Sequence, residues 1–481
     1  MKRNLFRFAI IPALPLVFFA CVRQEALAPR TSPSPQTPFA PSLGAPPPAV
    51  ETPSGTIPAE IAAAKRPWTL PDLVDIGLAN NAQTRIAWSA ARSAAAALGA
   101  ARGSFLPRLS VNVNGAKSKG SAVGGRFVFD YSSLTPTASL SWLLYDFGGR
   151  AGTRDEAVNA LAAANWTQNA VLQNVILLIE QNYYQYVAAR ALLEAQETSR
   201  SEAEKNLEAA ETRRKAGVAT LADTLQAKTA VSRIQLDLIS TQGLIQTYKG
   251  LLANALGLPA YTEFEIDAAL PEILPLDEAS GSVERRIAEA LGHRPDLIAA
   301  RAQALKAAAH IQTVRSQGLP TLTLNGTYGR VYYSTPAQSL SLGAGLVLDI
   351  PLFKGWTVAY QALQAEMDAE TARTQVKKAE LDVTLQVWTS YFNVQTSAQR
   401  IRTAEDLLGL ARRLHETAQG SYKEGVGSIL DLMAAQSALE NGRVQLVQAK
   451  AQWLLSLVQF ARDCGTLDPP DGAPANPGKG E

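Results

Sequence analysis

The sequence has little of what active sites are usually made from. Two cysteines, Cys21 and Cys464, are too few and too far apart for a disulfide framework. Three histidines, His293, His310 and His415, are scattered along the chain, so no metal cluster is implied and they are read as solvated or interfacial side chains. There is no nucleophile beside a base, no phosphate-cradling glycine loop and no compact pair of carboxylates, which makes an enzyme the least supported class and calls for no cofactor. A net charge of +2 leaves no basic footprint for nucleic acid. The apolar run from Phe8 to Ala20 is short for a membrane-spanning helix. Glycine is sparse over several very long stretches, and it is there that the chain becomes informative.

The first residues read as an export signal. Lys2, Arg3 and Arg7 make a positive region, and the apolar run after it ends in Phe18-Phe19-Ala20-Cys21, which resembles a bacterial lipoprotein signal with a small residue before the cysteine to be acylated. The competing processing site is the A-x-A sequence Ala26-Leu27-Ala28, which Pro29 disfavours. Acylation at Cys21 with two or more chains would anchor the protein stably, because a single chain binds membranes only marginally. The proline-, serine- and threonine-rich stretch that follows reads as an extended linker.

From Leu70 to Arg102 an alanine-rich pattern predicts a helix. At Arg108 the period changes to two. Leu109, Val111 and Val113 alternate with Ser110, Asn112 and Asn114; after a glycine- and serine-rich loop, Ala138, Leu140, Trp142 and Leu144 alternate with Ser139 and Ser141. Such alternation marks strands with one apolar and one small polar face. The helical period then returns and holds to Ala216, with Leu172, Ile176, Ile179, Tyr183 and Tyr186 in register. That is a helix of roughly 100 Å at 1.5 Å per residue. Gly217 sits where a left-handed residue stops a helix, and Thr220 with Asp223 has the spacing of a capping box that starts the next. The turn is therefore the tip of a helical hairpin, whose second arm runs to about Leu256.

The plan then repeats. Gly318-Leu319-Pro320 answers Phe105-Leu106-Pro107; Leu322, Leu324 and Tyr328, then Leu340, Leu342, Leu346, Leu348 and Ile350, give a second strand pair; Phe353-Lys354-Gly355 answers Phe147-Gly148-Gly149. Tyr391-Phe392 follows Tyr183-Tyr184, and Gly425-Val426 follows Gly217-Val218, at one common offset. Internal duplication is the natural reading. The resulting segments are 1–20, signal peptide; 21–67, acylated terminus and linker; 68–257, first repeat; 258–282, a mixed insert at the equator; 283–464, second repeat; and 465–481, a tail rich in proline and glycine. A short helix before the strands plus the shorter hairpin arm nearly equals the long helix, so the two stacked end to end would run beside it. The fold class is mainly α with membrane β.

In a soluble sandwich the apolar strand face would be core; in a membrane barrel it would face lipid. The long helices leave no second sheet to cover it, which favours the barrel. Four strands cannot close, and lipid does not tolerate an open edge, so the chain must oligomerise. Two copies would give a barrel nearly filled by its own side chains, and three would leave room for water. The small residues Ser339, Ser341, Gly343 and Gly345 favour three.

The doubled plan, the Leu-Pro lead-ins to the strands, Ala-Leu-Gly-His-Arg-Pro-Asp-Leu from Ala290 to Leu297, and the Gly-Val…Leu-Asp-Leu tip resemble the TolC family of outer-membrane channels, and Cys21 suits its acylated branch. The resemblance implies a homotrimer in outer-membrane lipids of a Gram-negative bacterium, one shared twelve-strand barrel, and a helical tunnel reaching into the periplasm. It also implies tips that open when a periplasmic membrane-fusion adaptor and an inner-membrane pump of RND or ABC type engage them. By the same resemblance Asp431 matches a constricting acidic ring, against the plainer role of helix cap. Tyr422 matches a tyrosine that latches a neighbouring hairpin, against simple packing. Gly427 stands where some relatives carry a latch arginine, and Ala434 where many carry a second aspartate. Gly217, Val218, Ala219 and Thr220, with Gly425, Val426, Gly427 and Ser428, match the adaptor contacts, against plain hairpin geometry. Trp142, Tyr145, Tyr328, Tyr332 and Tyr333 suit an interfacial belt. Efflux of small molecules leads; a type I protein-secretion channel and a non-conducting envelope tether are the alternatives.

Overall fold

The computed structural model describes residues 32, 34–37, 66–122, 124, 126–267, 282–334 and 338–467. The signal peptide, Cys21 and the tail from residue 468 on lie outside the described residues. Twelve elements follow in order: α1 (Leu70–Asn80), α2 (Ala82–Gly103), β1 (Arg108–Ala122), β2 (Phe127–Tyr145), α3 (Gly149–Lys215), α4 (Leu221–Ala255), α5 (Val283–His293), α6 (Pro295–Ser316), β3 (Thr321–Tyr333), β4 (Gln338–Asp349), α7 (Thr357–Lys423) and α8 (Ile429–Cys464). The helices α3 and α7 are 67 residues each, about 100 Å.

The single helix expected over 70–102 is broken. Asn81 leaves the helix at ψ 129° and joins two helix ends with one side chain. Its Oδ1 accepts from the Gln83 amide at 2.8 Å, capping α2, and its Nδ2 donates to the Ala255 carbonyl at 2.8 Å, satisfying the last turn of α4. The second repeat makes the same splice with Arg294. This guanidinium, 2% exposed, donates to the Asp463 carbonyl at the end of α8, to Gln386 of α7 and to Asp296 in the first turn of α6. Stacked in this way, α2 with α4 and α6 with α8 make composite columns beside the long helices. The buried centre of the molecule lies at the first splice, where Leu73 and Ile76 of α1, Ile176 and Ile179 of α3 and Leu252 and Leu256 pack together.

The four strands form one antiparallel sheet in the order β1-β2-β3-β4. The register aligns the alternation of all four. Val111, Ala138, Tyr328 and Leu342 form one row, and Ser110, Ser139, Thr327 and Gly343 the adjacent one, so the leucine-rich rows share a face, with Leu143, Val331 and Val347 as exceptions on the other. No layer covers that face: Leu109, Val111 and Leu342 are each more than 70% exposed. The first hairpin is longer than the alternation indicated, for most of the expected glycine- and serine-rich loop is paired strand up to Ala122 opposite Phe127. Aromatics gather at both ends of the sheet, Tyr131 against Tyr333 at the hairpin end and Tyr145 against Phe147 at the helix end. Trp142, Tyr328 and Tyr332 lie on the apolar face, whereas Tyr333, opposite Ser133, lies on the small polar face and so falls outside the expected belt.

The strand-to-helix turns correct one pairing of the two repeats. Phe147 and Gly148 have φ 50° and 91°, and Gly355 and Trp356 have φ 62° and 66°. Gly355 thus corresponds to Phe147 rather than to Gly149, and each turn places glycine at only one of its two left-handed positions. Part of the linker is seated on the helical wall, where Trp88 Nε1 donates to the Ser32 carbonyl at 2.9 Å and Gln168 Nε2 to that of Thr37 at 3.1 Å. At the equator Trp68 pairs with Ile266 in a parallel bridge and stacks on Phe264. Among the described residues no helix is long and apolar enough to cross a membrane.

Candidate functional site at the hairpin tips

Both tips are built by the same two devices. In the first, Gly217 takes φ 75°, its amide donates to the Arg214 carbonyl and the Val218 amide donates to that of Arg213, both at 3.0 Å. This paired arrangement consumes carbonyls that the helix end would leave free. The Thr220–Asp223 capping box then starts α4, with the Thr220 amide donating to Asp223 Oδ2 at 2.7 Å. In the second tip Gly425, at φ 81°, donates to the Tyr422 carbonyl, and Val426 and Gly427 both donate to that of Ser421. The Ser428–Asp431 box starts α8. Gly427 has a reason of its own to lack a side chain, since a Cβ there would lie 2.9 Å from the Cβ of Ser421.

Asp431 is exposed, and its Oδ2 accepts from the Ser428 hydroxyl at 2.7 Å. The capping role is therefore occupied. Apolar side chains stand exposed at both tips: Val218 is 63%, Val426 84% and Leu430 61% exposed. The first tip also ends in Arg213-Arg214-Lys215, with Arg214 and Lys215 in solvent beside the helix carbonyls they favour.

Tyr422 is only 6% exposed and packs with Ala210, Ala227, Ile429 and Leu432. Burial pushes its phenol above the ordinary tyrosine range. Its hydroxyl has no hydrogen-bond partner among the described residues. The ring instead carries the Arg213 guanidinium over its face at 4.7 Å from the centroid, and Arg213 Nη1 donates to the Tyr422 carbonyl at 2.6 Å. One arginine of the first hairpin thus grips ring and backbone of the second. Repeat arithmetic did not single out Arg213, because it pairs Tyr422 with Arg214; only the adjacent run of basic residues hinted at it.

Above the tips the two hairpins are joined by a row of polar bonds. Asn206 donates to Gln436 at 2.7 Å, and Arg443 grips Glu202 with both terminal nitrogens at 2.7 and 2.8 Å while also donating to Ser199. His415, expected in solvent or at an interface, is buried beside this row at 6% exposure. Burial lowers its pKa against the opposing pull of Glu202. Higher up, burial raises the Glu180 carboxyl to about 7 and the Tyr184 phenol to about 12. No group of three or more metal-binding side chains occurs among the described residues.

The chain matches the family model described as outer membrane efflux protein over residues 73–258 and 287–466. It is 26% identical to Protein CyaE of Bordetella pertussis over 412 residues, 82% of this chain and 85% of that one. It is also 26% identical to the pyoverdine export outer membrane protein OpmQ of Pseudomonas putida, over 86% of this chain and 92% of that one. Among solved structures, the outer membrane protein VceC of Vibrio cholerae superposes with a TM-score of 0.73 at 21% identity, covering 82% of this chain and 96% of that one.

Proposed function

The chain belongs to the outer membrane efflux protein family, and on that premise we propose that it is the outer-membrane channel subunit of a tripartite efflux pump. It acts as a passive trimeric conduit for small molecules across periplasm and outer membrane. The observation that carries the reading is the sheet. Its apolar rows are registered on one open face, its outer strands β1 and β4 each have an unpaired edge, and it continues directly into helices about 100 Å long. In lipid an open edge leaves backbone groups unsatisfied, so β1 of one copy pairs with β4 of the next. Three copies of four strands make a barrel with the serine, threonine and glycine rows around a water-filled lumen.

The helical columns form the tunnel, and the tips form its periplasmic end. There the exposed Val218, Val426 and Leu430 meet a periplasmic adaptor, and the Arg213–Tyr422 grip holds the hairpins together until the adaptor and an inner-membrane pump part them. The pump supplies the energy and selects the cargo. Acylation of Cys21 suits the seat of the linker. The stretch from Cys21 to Ser32 reaches at most about 40 Å, whereas Trp88, which holds Ser32, lies only about 22 Å along α2 from its membrane end.

The test is reconstitution of the full-length protein into planar bilayers, with light scattering of the detergent-solubilised protein beside it. Trimers that give discrete conductance steps are expected. Verified trimers that insert but never conduct, even when the tips are loosened by substitution, would leave a tether rather than a channel.

A further inference from the structure

The duplication makes it possible to compare one surface that the chain closes with its equivalent that the chain leaves open. Gly217 and Gly425, and the starts of α4 and α8 at Leu221 and Ile429, fall in step, so positions of the two hairpins correspond one to one. Within the chain, the lower half of α3 is closed by α8 through Ser199, Glu202 and Asn206 against Arg443 and Gln436. One repeat later, the α3 residues become Leu407, Leu410 and Leu414 of α7, and Gln436 and Arg443 become Lys228 and Gln235 of α4.

These leucines are 45%, 66% and 53% exposed, and α7 has no second hairpin of its own chain to lie against. They belong to a stripe that continues upward through Leu381, Leu385 and Trp388, within an arc of about 100° at 3.6 residues per turn. The corresponding flank of α4 is also open and offers Ile239, 56% exposed, one turn beyond Gln235 on the same side as Lys228.

We propose that this leucine face is where a second copy of the same chain seats α4, head to tail, and that the tunnel wall therefore has two chemically different seams. The seam inside each copy is ion-paired and hydrogen-bonded. The seam between copies is apolar, with Leu407, Leu410 and Leu414 packed on Ile239 and the methylene stems of Gln235 and Lys228 of the next copy. No ion pair is possible at the position of Arg443–Glu202, because Gln235 and Leu410 stand there. Salt therefore weakens the inner seam and spares the outer one.

The inference rests on the oligomeric channel reading, and the experiment separates the two. Full-length protein carrying Leu410→Cys with Gln235→Cys is oxidised in detergent beside each single variant, with Leu414→Cys and Lys228→Cys as an independent pair. Covalent dimers and closed trimers are expected from the paired variants alone, with a yield unchanged by high salt. Trimers by light scattering that fail to cross-link through either pair overturn the seam and leave the channel standing. Monomers by light scattering overturn both. Leu410→Glu is expected to release monomers at concentrations where Glu202→Gln remains trimeric, and the reverse order would also refute the assignment.

Discussion

The grip of Arg213 on Tyr422 makes a sharp prediction because ring and hydroxyl play different parts in it. Replacing Arg213 by alanine removes a charge-assisted bond to the Tyr422 carbonyl, worth about 1.5–3 kcal/mol, and a cation–π contact worth about 0.5–2 kcal/mol. Arg213 is partly exposed, so solvent offsets some of this, and a net loss of about 2 kcal/mol per copy is the working figure. Since 1.4 kcal/mol is tenfold in an equilibrium, the closed-to-open ratio should fall roughly thirtyfold for one tip. Tyr422→Leu removes the ring but keeps the carbonyl bond, for a smaller effect of about 1 kcal/mol. Tyr422→Phe should be nearly silent, because the hydroxyl it deletes has no partner. Arg213→Lys keeps the charge but loses the planar fork, and should fall between. Open probability in planar bilayers ranks the four variants. If Tyr422→Phe opens the channel as far as Tyr422→Leu, the latch works through the hydroxyl and the grip described above is wrong.

Four further outcomes follow from the structure. Arg294→Ala removes the bonds to Asp296, Gln386 and the Asp463 carbonyl, while Gln459 and Arg462 still hold the Asp463 carboxylate, and should lower stability by about 1.5–3 kcal/mol, read as a fall in the thermal unfolding midpoint. Glu180 has a folded pKa of about 7, above its unfolded value, so its contribution is complete below about pH 4.5 and is lost as pH rises through 7. Glu180→Gln should therefore flatten the stability profile between those limits and recover up to about 3 kcal/mol at pH 8. His415 runs the other way: its lowered pKa means that stability is full above pH 6.5 and falls as acid protonates it, and His415→Gln should remove that acid-side loss in denaturant titrations. Asp431→Ala should weaken the hairpin by about 1 kcal/mol through loss of the cap; a simultaneous fall in cation selectivity, read from reversal potentials, would place the carboxylate on the conduction path.

Much of the architecture was legible because its signals are local. A change of period from 3.6 to two and back marks the strands between helices, and glycine followed by a hydroxyl–acid box marks each tip. Where reading failed, the deciding contact was remote in sequence. Asn81 looks like an ordinary helix residue until the end of α4 arrives to take its amide, and Arg294 needs the end of α8. The glycine and serine residues after Val113 suggested a loop because their face carries no alternation strong enough to see, yet pairing with β2 holds them as strand. His415 has a surface-like sequence context and is buried only because α3 and α8 close over it.

By itself the sequence determined the doubled plan, the tips, the strand faces and the need for partners, since each follows from periodicity, capping or an edge that cannot be left open in lipid. Only the tertiary structure decided which faces of the long helices the chain closes for itself. Helical period places Glu202 and Leu410 on equivalent faces but is silent about what lies opposite. Packing answers that: α8 covers the polar face of α3 with Arg443, while the apolar face of α7 stays uncovered within one chain. A buried charge is tolerable only with its partner in place, and an apolar face is stable only when something shields it from water. Both conditions are set by neighbours in space, which no local pattern specifies.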